Sequence, residues 1–93
     1  MALDNELKSQ ILKAQRNEIT EHFIYKKLAV FLKDREKGRV LEDISNDEKS
    51  HYEFWKSLTQ KDVLPDKVKV GFFVFISKIF GLTFGLKLLE QGE

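Results

Sequence analysis

The sequence predicts an all-α protein in which two helices form an antiparallel hairpin that dimerises into a four-helix bundle, followed by an amphipathic helix. Three observations predict this. Before residue 60, apolar residues recur in alternating steps of three and four, the period of a helix with one buried face. A single proline, Pro65, separates this part from a more apolar C-terminal third. No segment has the alternating period of a β-strand.

The first helix is expected over residues 4–33. Its apolar stripe comprises Leu7, Ile11, Ala14, Tyr25, Leu28 and Leu32. The two remaining positions of the stripe are Glu18 and Glu21. Burying unpaired carboxylates in an apolar seam is costly, so their charge must be compensated.

The second helix is expected over residues 35–59, with Asp34 as its N-cap and Gly38 as an alternative turn. Its stripe comprises Leu41, Ile44, Trp55 and Leu58. The two missing positions of this stripe are Glu48 and His51. Because the connection is short, the two helices should be antiparallel neighbours, which makes residues 1–60 one helical hairpin.

Residues 61–66 are expected to form a loop, and residues 67–93 to carry a helix from about 67 to 89. This segment has no acidic residue between Val68 and Glu90. Lysines and glycines occupy one narrow stripe, and apolar residues much of the remainder. The helix is long enough to span a bilayer, which takes about 20 residues, but Lys78 at its middle makes that costly. Docking on a membrane surface or on a membrane domain is favoured, and a third core helix is the alternative.

The interrupted stripes predict a metal site. Glu18 lies 16 residues before Asp34, whereas Glu48 and His51 lie 14 and 17 residues after it. At about 1.5 Å rise per residue, the three side chains reach a similar height on facing helices. Residues three apart share a helix face, so Glu48 and His51 can bind one ion. Carboxylates with one imidazole suit iron or manganese.

Glu21 is expected towards the edge of its stripe, where it would support a ligand from behind or serve as a spare ligand. His22 is expected beside the stripe rather than as a ligand. The alternative for Glu48 and His51 is a surface pair on a charged helix. One hairpin supplies half of the ligand set of carboxylate di-metal bundles, so two copies related by a two-fold axis would complete both bundle and site.

These residues carry a resemblance to a known family. The run from Glu18 to Ala29, followed by Asp47-Glu48-Lys49-Ser50-His51, resembles the rubrerythrin-like branch of the ferritin-like di-iron superfamily. The tail from Ile79 to Glu90 looks like the segment that joins such a domain to a membrane domain of the vacuolar iron transporter type. The resemblance covers about residues 10–93.

The resemblance implies particular roles. Glu18, Glu48 and His51 match the di-iron ligands, giving two irons per dimer, and Tyr25 matches a tyrosine close to the site, where it could take part in redox chemistry or only pack in the core. The implied activity is ferroxidase-like, the oxidation of ferrous iron by dioxygen or peroxide. The chain departs from the family in having one Glu-x-x-His motif rather than two and no cysteine, so a complete rubrerythrin-type peroxidase cycle is not expected.

Composition limits the alternatives. The formal net charge of +1 argues against nucleic acid as a partner. The absence of cysteine excludes disulfides, thiolate metal sites and thiol catalysis, and fits a cytoplasmic location, with the cytoplasmic face of a membrane as an option. Two other functions stay open: a non-catalytic iron or manganese sensor or relay for a membrane transporter, and a metal-free interaction domain.

Overall fold

The computed structural model describes residues 4–91, which form four helices and no strand. The helices are α1 (Asn5–Phe31), α2 (Arg35–Thr59), α3 (Lys67–Phe80) and α4 (Leu82–Gln91). The predicted all-α class is confirmed. Helices α1 and α2 are antiparallel neighbours, since Gln15, early in α1, contacts Thr59 at the end of α2.

The turn between α1 and α2 is defined by Asp34. One of its carboxylate oxygens accepts hydrogen bonds from the backbone N–H groups of Glu36 at 3.0 Å and Lys37 at 3.1 Å. These bonds satisfy donors that the first helical turn leaves without an intrahelical partner. Asp34 is therefore the N-cap of α2, as predicted. The alternative turn at Gly38 is wrong, because Gly38 lies inside the helix.

The core lies at the end of the hairpin nearest the α1–α2 turn. Its buried apolar residues are Ile24, Leu28, Leu41, Val70, Phe73 and Leu89. The apolar stripes of α1 and α2 together form one surface, here called the seam. Helix α3 packs on α1. The leucines of α4 pack against the half of the seam nearer the α1–α2 turn, around Tyr25 and Ile44. The other half of the seam is uncovered in the single chain, where Leu7 and Leu58 are exposed. The seam thus has one closed and one open half.

The single C-terminal helix expected from about residue 67 to 89 is wrong. The chain breaks at Gly81, whose φ of 98° is a conformation that residues with a Cβ rarely adopt. The break lets α4 fold back along α3, where Gly85 lies directly against Ser77. Between residues 4 and 91, no helix combines the length and the hydropathy that crossing a bilayer requires.

Two glycine-to-alanine substitutions should have opposite effects on stability. At Gly85, a Cβ would meet the side chain of Ser77 and lie 3.2 Å from its Cα, so Gly85→Ala should destabilise the fold by about 1–3 kcal/mol. At Gly71, nothing lies within 4 Å of the added Cβ, so Gly71→Ala should stabilise α3 by up to about 1 kcal/mol. Urea unfolding of the two variants measures both changes. Equal effects at the two positions would contradict the close α3–α4 contact.

Candidate metal centre

Three side chains meet on the seam face at the middle of the hairpin. Glu18 comes from α1, and Glu48 and His51 come from α2, one turn apart. Each can offer a donor atom such that all three atoms lie within 4.8 Å of one another. The Nδ1 atom of His51 is 3.4 Å from Oε2 of Glu18 and 3.7 Å from Oε1 of Glu48. The structure thus brings together the three residues that lie at similar distances along the chain from Asp34.

The carboxyl group of Glu48 carries the strongest perturbation at this site. Its pKa is raised from 4.5 to about 8, first by desolvation on burial and then by its hydrogen bond with Glu18 and the negative charges of Glu18 and Asp47. Its Oε2 atom is buried and finds no hydrogen-bond partner among the described residues. A buried carboxylate oxygen without a partner is energetically costly in the free protein. A bound cation would supply the missing interaction.

The donor set fits a divalent cation. Two carboxylates and a neutral imidazole carry a charge of −2, which balances a doubly charged ion. The side chains of Glu48 and Glu18 are 16% and 22% exposed, whereas that of His51 is 57% exposed. The group is therefore enclosed on the side of the hairpin and open on the side of the uncovered seam. An ion held there has room for ligands that these three side chains do not provide.

Tyr25 lies near this group, at the border of the half of the seam that α4 covers. Its pKa is raised, first by burial and then by the negative charges of Glu48 and Glu90. Glu90 belongs to α4 and comes near Tyr25 because that helix folds back at Gly81. Sequence reasoning missed Glu90, and no local pattern could have revealed it, since its position depends on the long-range packing of α4.

Glu21 is buried, but it is not among the donor atoms that cluster within residues 4–91. Of the two glutamates in the α1 stripe, it is Glu18 that meets Glu48 and His51. This is the order expected from the helical wheel, on which Glu21 lies towards the edge of the stripe.

His22 is buried beside the stripe and is not part of the donor group within residues 4–91. Its Nδ1–H donates to the backbone carbonyl of Ser45 at 2.8 Å, and the Ser45 hydroxyl donates to the carbonyl of His22 at 2.9 Å. His22 lies one turn after Glu18, and Ser45 lies one turn before Glu48. The pair therefore fixes α1 against α2 immediately beside the candidate ligands.

A second polar contact holds the helices together on the other side of the site. The Thr59 hydroxyl donates to Oε1 of Gln15 at 2.7 Å, and the Gln15 amide donates to the carbonyl of Lys61. Gln15 lies one turn before Glu18. These two interhelical contacts bracket the ligand group, so the spacing of the two helices at the site is set by hydrogen bonds rather than by apolar packing alone. Sequence periodicity did not identify either pair.

Comparisons of this chain with models of protein families, with curated proteins and with solved structures found no match. A function assigned to the site therefore depends on the chemistry and geometry of its own side chains.

Proposed function

We propose that this protein binds ferrous iron through Glu18, Glu48 and His51, and that a second copy completes a two-iron carboxylate site. The observation that carries the proposal is the meeting of these three donors in one group, together with an Oε2 atom of Glu48 that is buried and has no partner among the described residues. Charge balance and ligand type support iron, and manganese satisfies the same donors. Each chain holds one ion, so the dimer holds two.

The open half of the seam supports the choice of a second copy. One chain supplies two carboxylates and one imidazole, which is half of the ligand set found in carboxylate di-metal bundles. In the proposed dimer, α1 and α2 of two chains form a ferritin-like four-helix bundle. A two-fold axis beside His51 would bring the two half-sites together and cover Leu7 and Leu58 at the same time. Packing and metal binding then favour the same assembly.

In this proposal the chain's own residues bind and orient the metal. Glu48 and Glu18 supply negative charge, and His51 supplies a neutral nitrogen. Tyr25 limits water on the side closed by α4. When bound, ferrous iron supplies the electrons for the reduction of dioxygen or peroxide, which makes the protein a ferroxidase-like oxidoreductase serving iron homeostasis or transport.

A second candidate function is a metal sensor or relay that binds iron or manganese without turnover. The exposure of His51 favours it, because a ligand group open to solvent allows the ion to exchange. Oxygen consumption after addition of ferrous iron separates the two candidates. An oxidase consumes oxygen in proportion to the iron added, whereas a relay binds the iron without consuming oxygen beyond the rate in buffer.

Anaerobic titration with ferrous iron tests the binding proposal. Wild-type protein should bind about one iron per chain and sediment as a dimer. His51→Ala should lower the affinity by more than about tenfold, because it removes the nitrogen donor from a chain whose fold does not depend on that exposed side chain. Ser50→Ala, at the exposed neighbouring position, is the matched control and should bind like wild type.

Two outcomes would refute the proposal. Unchanged affinity in His51→Ala would exclude the site. Protein that binds no iron or manganese at all would favour the metal-free alternative, in which the glutamates pair with lysines of a partner.

A further inference from the structure

Helix α3 presents an apolar stripe to solvent on the face opposite its buried one. Val70, Phe73 and Ser77 face the core, whereas Val68, Phe72, Phe75 and Ile79 are 50–83% exposed. At about 100° per residue, the four exposed side chains fall within roughly 60° of one another around the helix. These side chains offer a membrane or a partner one apolar helix face to cover.

The charges around this stripe have one sign. Lys67 and Lys78 lie about a quarter turn from it on one side, and Lys69 lies about a quarter turn from it on the other. From Lys67 to Leu89 the chain has no acidic residue, and Lys87 adds a fourth lysine on α4. Asp66 precedes the helix, but its carboxylate accepts from the backbone N–H of Lys69 as the N-cap. The stripe is therefore apolar with a basic border.

We infer that this face of α3 docks on the surface of an anionic lipid bilayer. An apolar helix face flanked by lysines can place its aromatic and aliphatic side chains among the lipid chains while the lysines contact anionic headgroups. Phe80 and Phe84 are also exposed, beside the α3–α4 break, with their ring centroids 5.4 Å apart. The helix lies on the bilayer rather than crossing it.

A second copy fits this face less well than a membrane does. Two α3 helices packed face to face would bring their lysine borders together, and like charges repel. The area is also small: a helix of 14 residues is about 21 Å long, so its face covers on the order of 200 Å². A stable protein–protein interface buries about 800 Å² on each partner.

The docking face is separate from the metal centre. Helix α3 packs on the side of α1 marked by Thr20, whose hydroxyl accepts the backbone N–H of Asp66 at 3.0 Å. Thr20 lies two residues after Glu18, so the two side chains point in directions about 160° apart around α1. A chain docked on a membrane through α3 therefore keeps Glu18, Glu48 and His51 accessible. The inference does not depend on the proposed metal function.

Co-sedimentation with vesicles tests the inference. The full chain should bind vesicles of phosphatidylcholine containing phosphatidylglycerol, and should bind pure phosphatidylcholine vesicles much more weakly. Phe72→Ser combined with Phe75→Ser should reduce partitioning into anionic vesicles by more than about tenfold. Phe54→Ser is the matched control, because Phe54 is 59% exposed and Phe75 60% exposed, but Phe54 lies on α2.

The lysine border has its own test. Lys67→Gln combined with Lys78→Gln should lower binding to anionic vesicles by about fivefold for each lysine and leave binding to neutral vesicles unchanged. Binding should also weaken as salt is raised. Circular dichroism confirms that the variants keep their helices, as expected for changes at exposed positions.

Either of two results would overturn the inference. One is wild-type protein that does not bind anionic vesicles. The other is self-association in the absence of lipid that the Phe72 and Phe75 substitutions abolish, since the face would then join copies of this chain.

Discussion

Replacing Glu48 by glutamine should weaken ferrous iron binding by about a hundredfold or more while making the metal-free protein more stable. The loss of affinity follows from removing one of two negatively charged ligands, a larger change than the loss of an outer-shell partner, which costs about 10–100-fold. The gain in stability follows from the site itself. A carboxylate with a buried oxygen that lacks a partner, next to Glu18, opposes folding when it is ionised.

At pH 8, Glu48→Gln should raise the free energy of unfolding of the metal-free protein by about 1–3 kcal/mol. This is less than the shift in the Glu48 pKa alone would give, because the site faces solvent on one side. Urea unfolding of the metal-free proteins measures it, and anaerobic iron titration measures the affinity. Glu53→Gln is the matched control. Glu53 lies on the same helix with its side chain 52% exposed, so its removal should change neither quantity beyond about 0.5 kcal/mol. A Glu48→Gln variant that is less stable than wild type would show that the carboxylate serves the fold and not a ligand.

Stability and metal affinity should respond to pH in opposite directions. The folded-state pKa of Glu48, about 8, lies above its ordinary value of 4.5, so the folded protein binds the proton more tightly than the unfolded chain does. Protonation of Glu48 therefore contributes to the free energy of unfolding of the metal-free protein in full at or below pH 4.5. This contribution is lost as the pH rises to about 8. Metal binding requires the ionised carboxylate and a neutral His51, so affinity should rise about tenfold per pH unit for each proton displaced.

The two trends are measured separately, by urea unfolding of metal-free protein and by metal titration between about pH 5.5 and 8. This range lies between the ordinary pKa of Glu48, 4.5, and its raised pKa of about 8, where the folded protein holds a proton that the unfolded chain has lost. Glu48→Gln should flatten the stability curve and make the affinity curve less steep, because it removes the titrating carboxyl group. Metal-free stability that is independent of pH in this range in wild type, or that is equally dependent in Glu48→Gln, would contradict the assignment of the perturbed group to Glu48.

The hairpin and its candidate ligands were accessible from the sequence because their signals are local. Helical period follows from which side chains share a face, and the N-cap at Asp34 follows from hydrogen bonds within one turn. Given one hinge and a constant rise per residue, the heights of Glu18, Glu48 and His51 follow by counting. The same reasoning ranked Glu18 above Glu21 in the α1 stripe.

Other parts of the site depend on contacts between residues far apart in the chain. The two interhelical contacts, Gln15 with Thr59 and His22 with Ser45, involve polar residues that interrupt no stripe and belong to no short motif. The break at Gly81 was missed because apolar residues continue on both sides of it, so the pattern reads as one helix. The positive φ of Gly81 allows the turn, and the close packing of Gly85 on Ser77 holds α4 against α3 after it.

Periodicity and residue counting therefore predict an all-helical chain whose two amphipathic helices are each interrupted by ionisable residues at matching heights. Which part of the seam between them stays open follows only from the packing of α4 in the folded chain. Helix α4 covers the half nearer the α1–α2 turn with Leu82, Leu86 and Leu89, and leaves the ligand group exposed on one side. The physical reason is that a helix face can be read from periodicity, whereas the surface that it packs against is chosen by shape and burial summed over the whole chain.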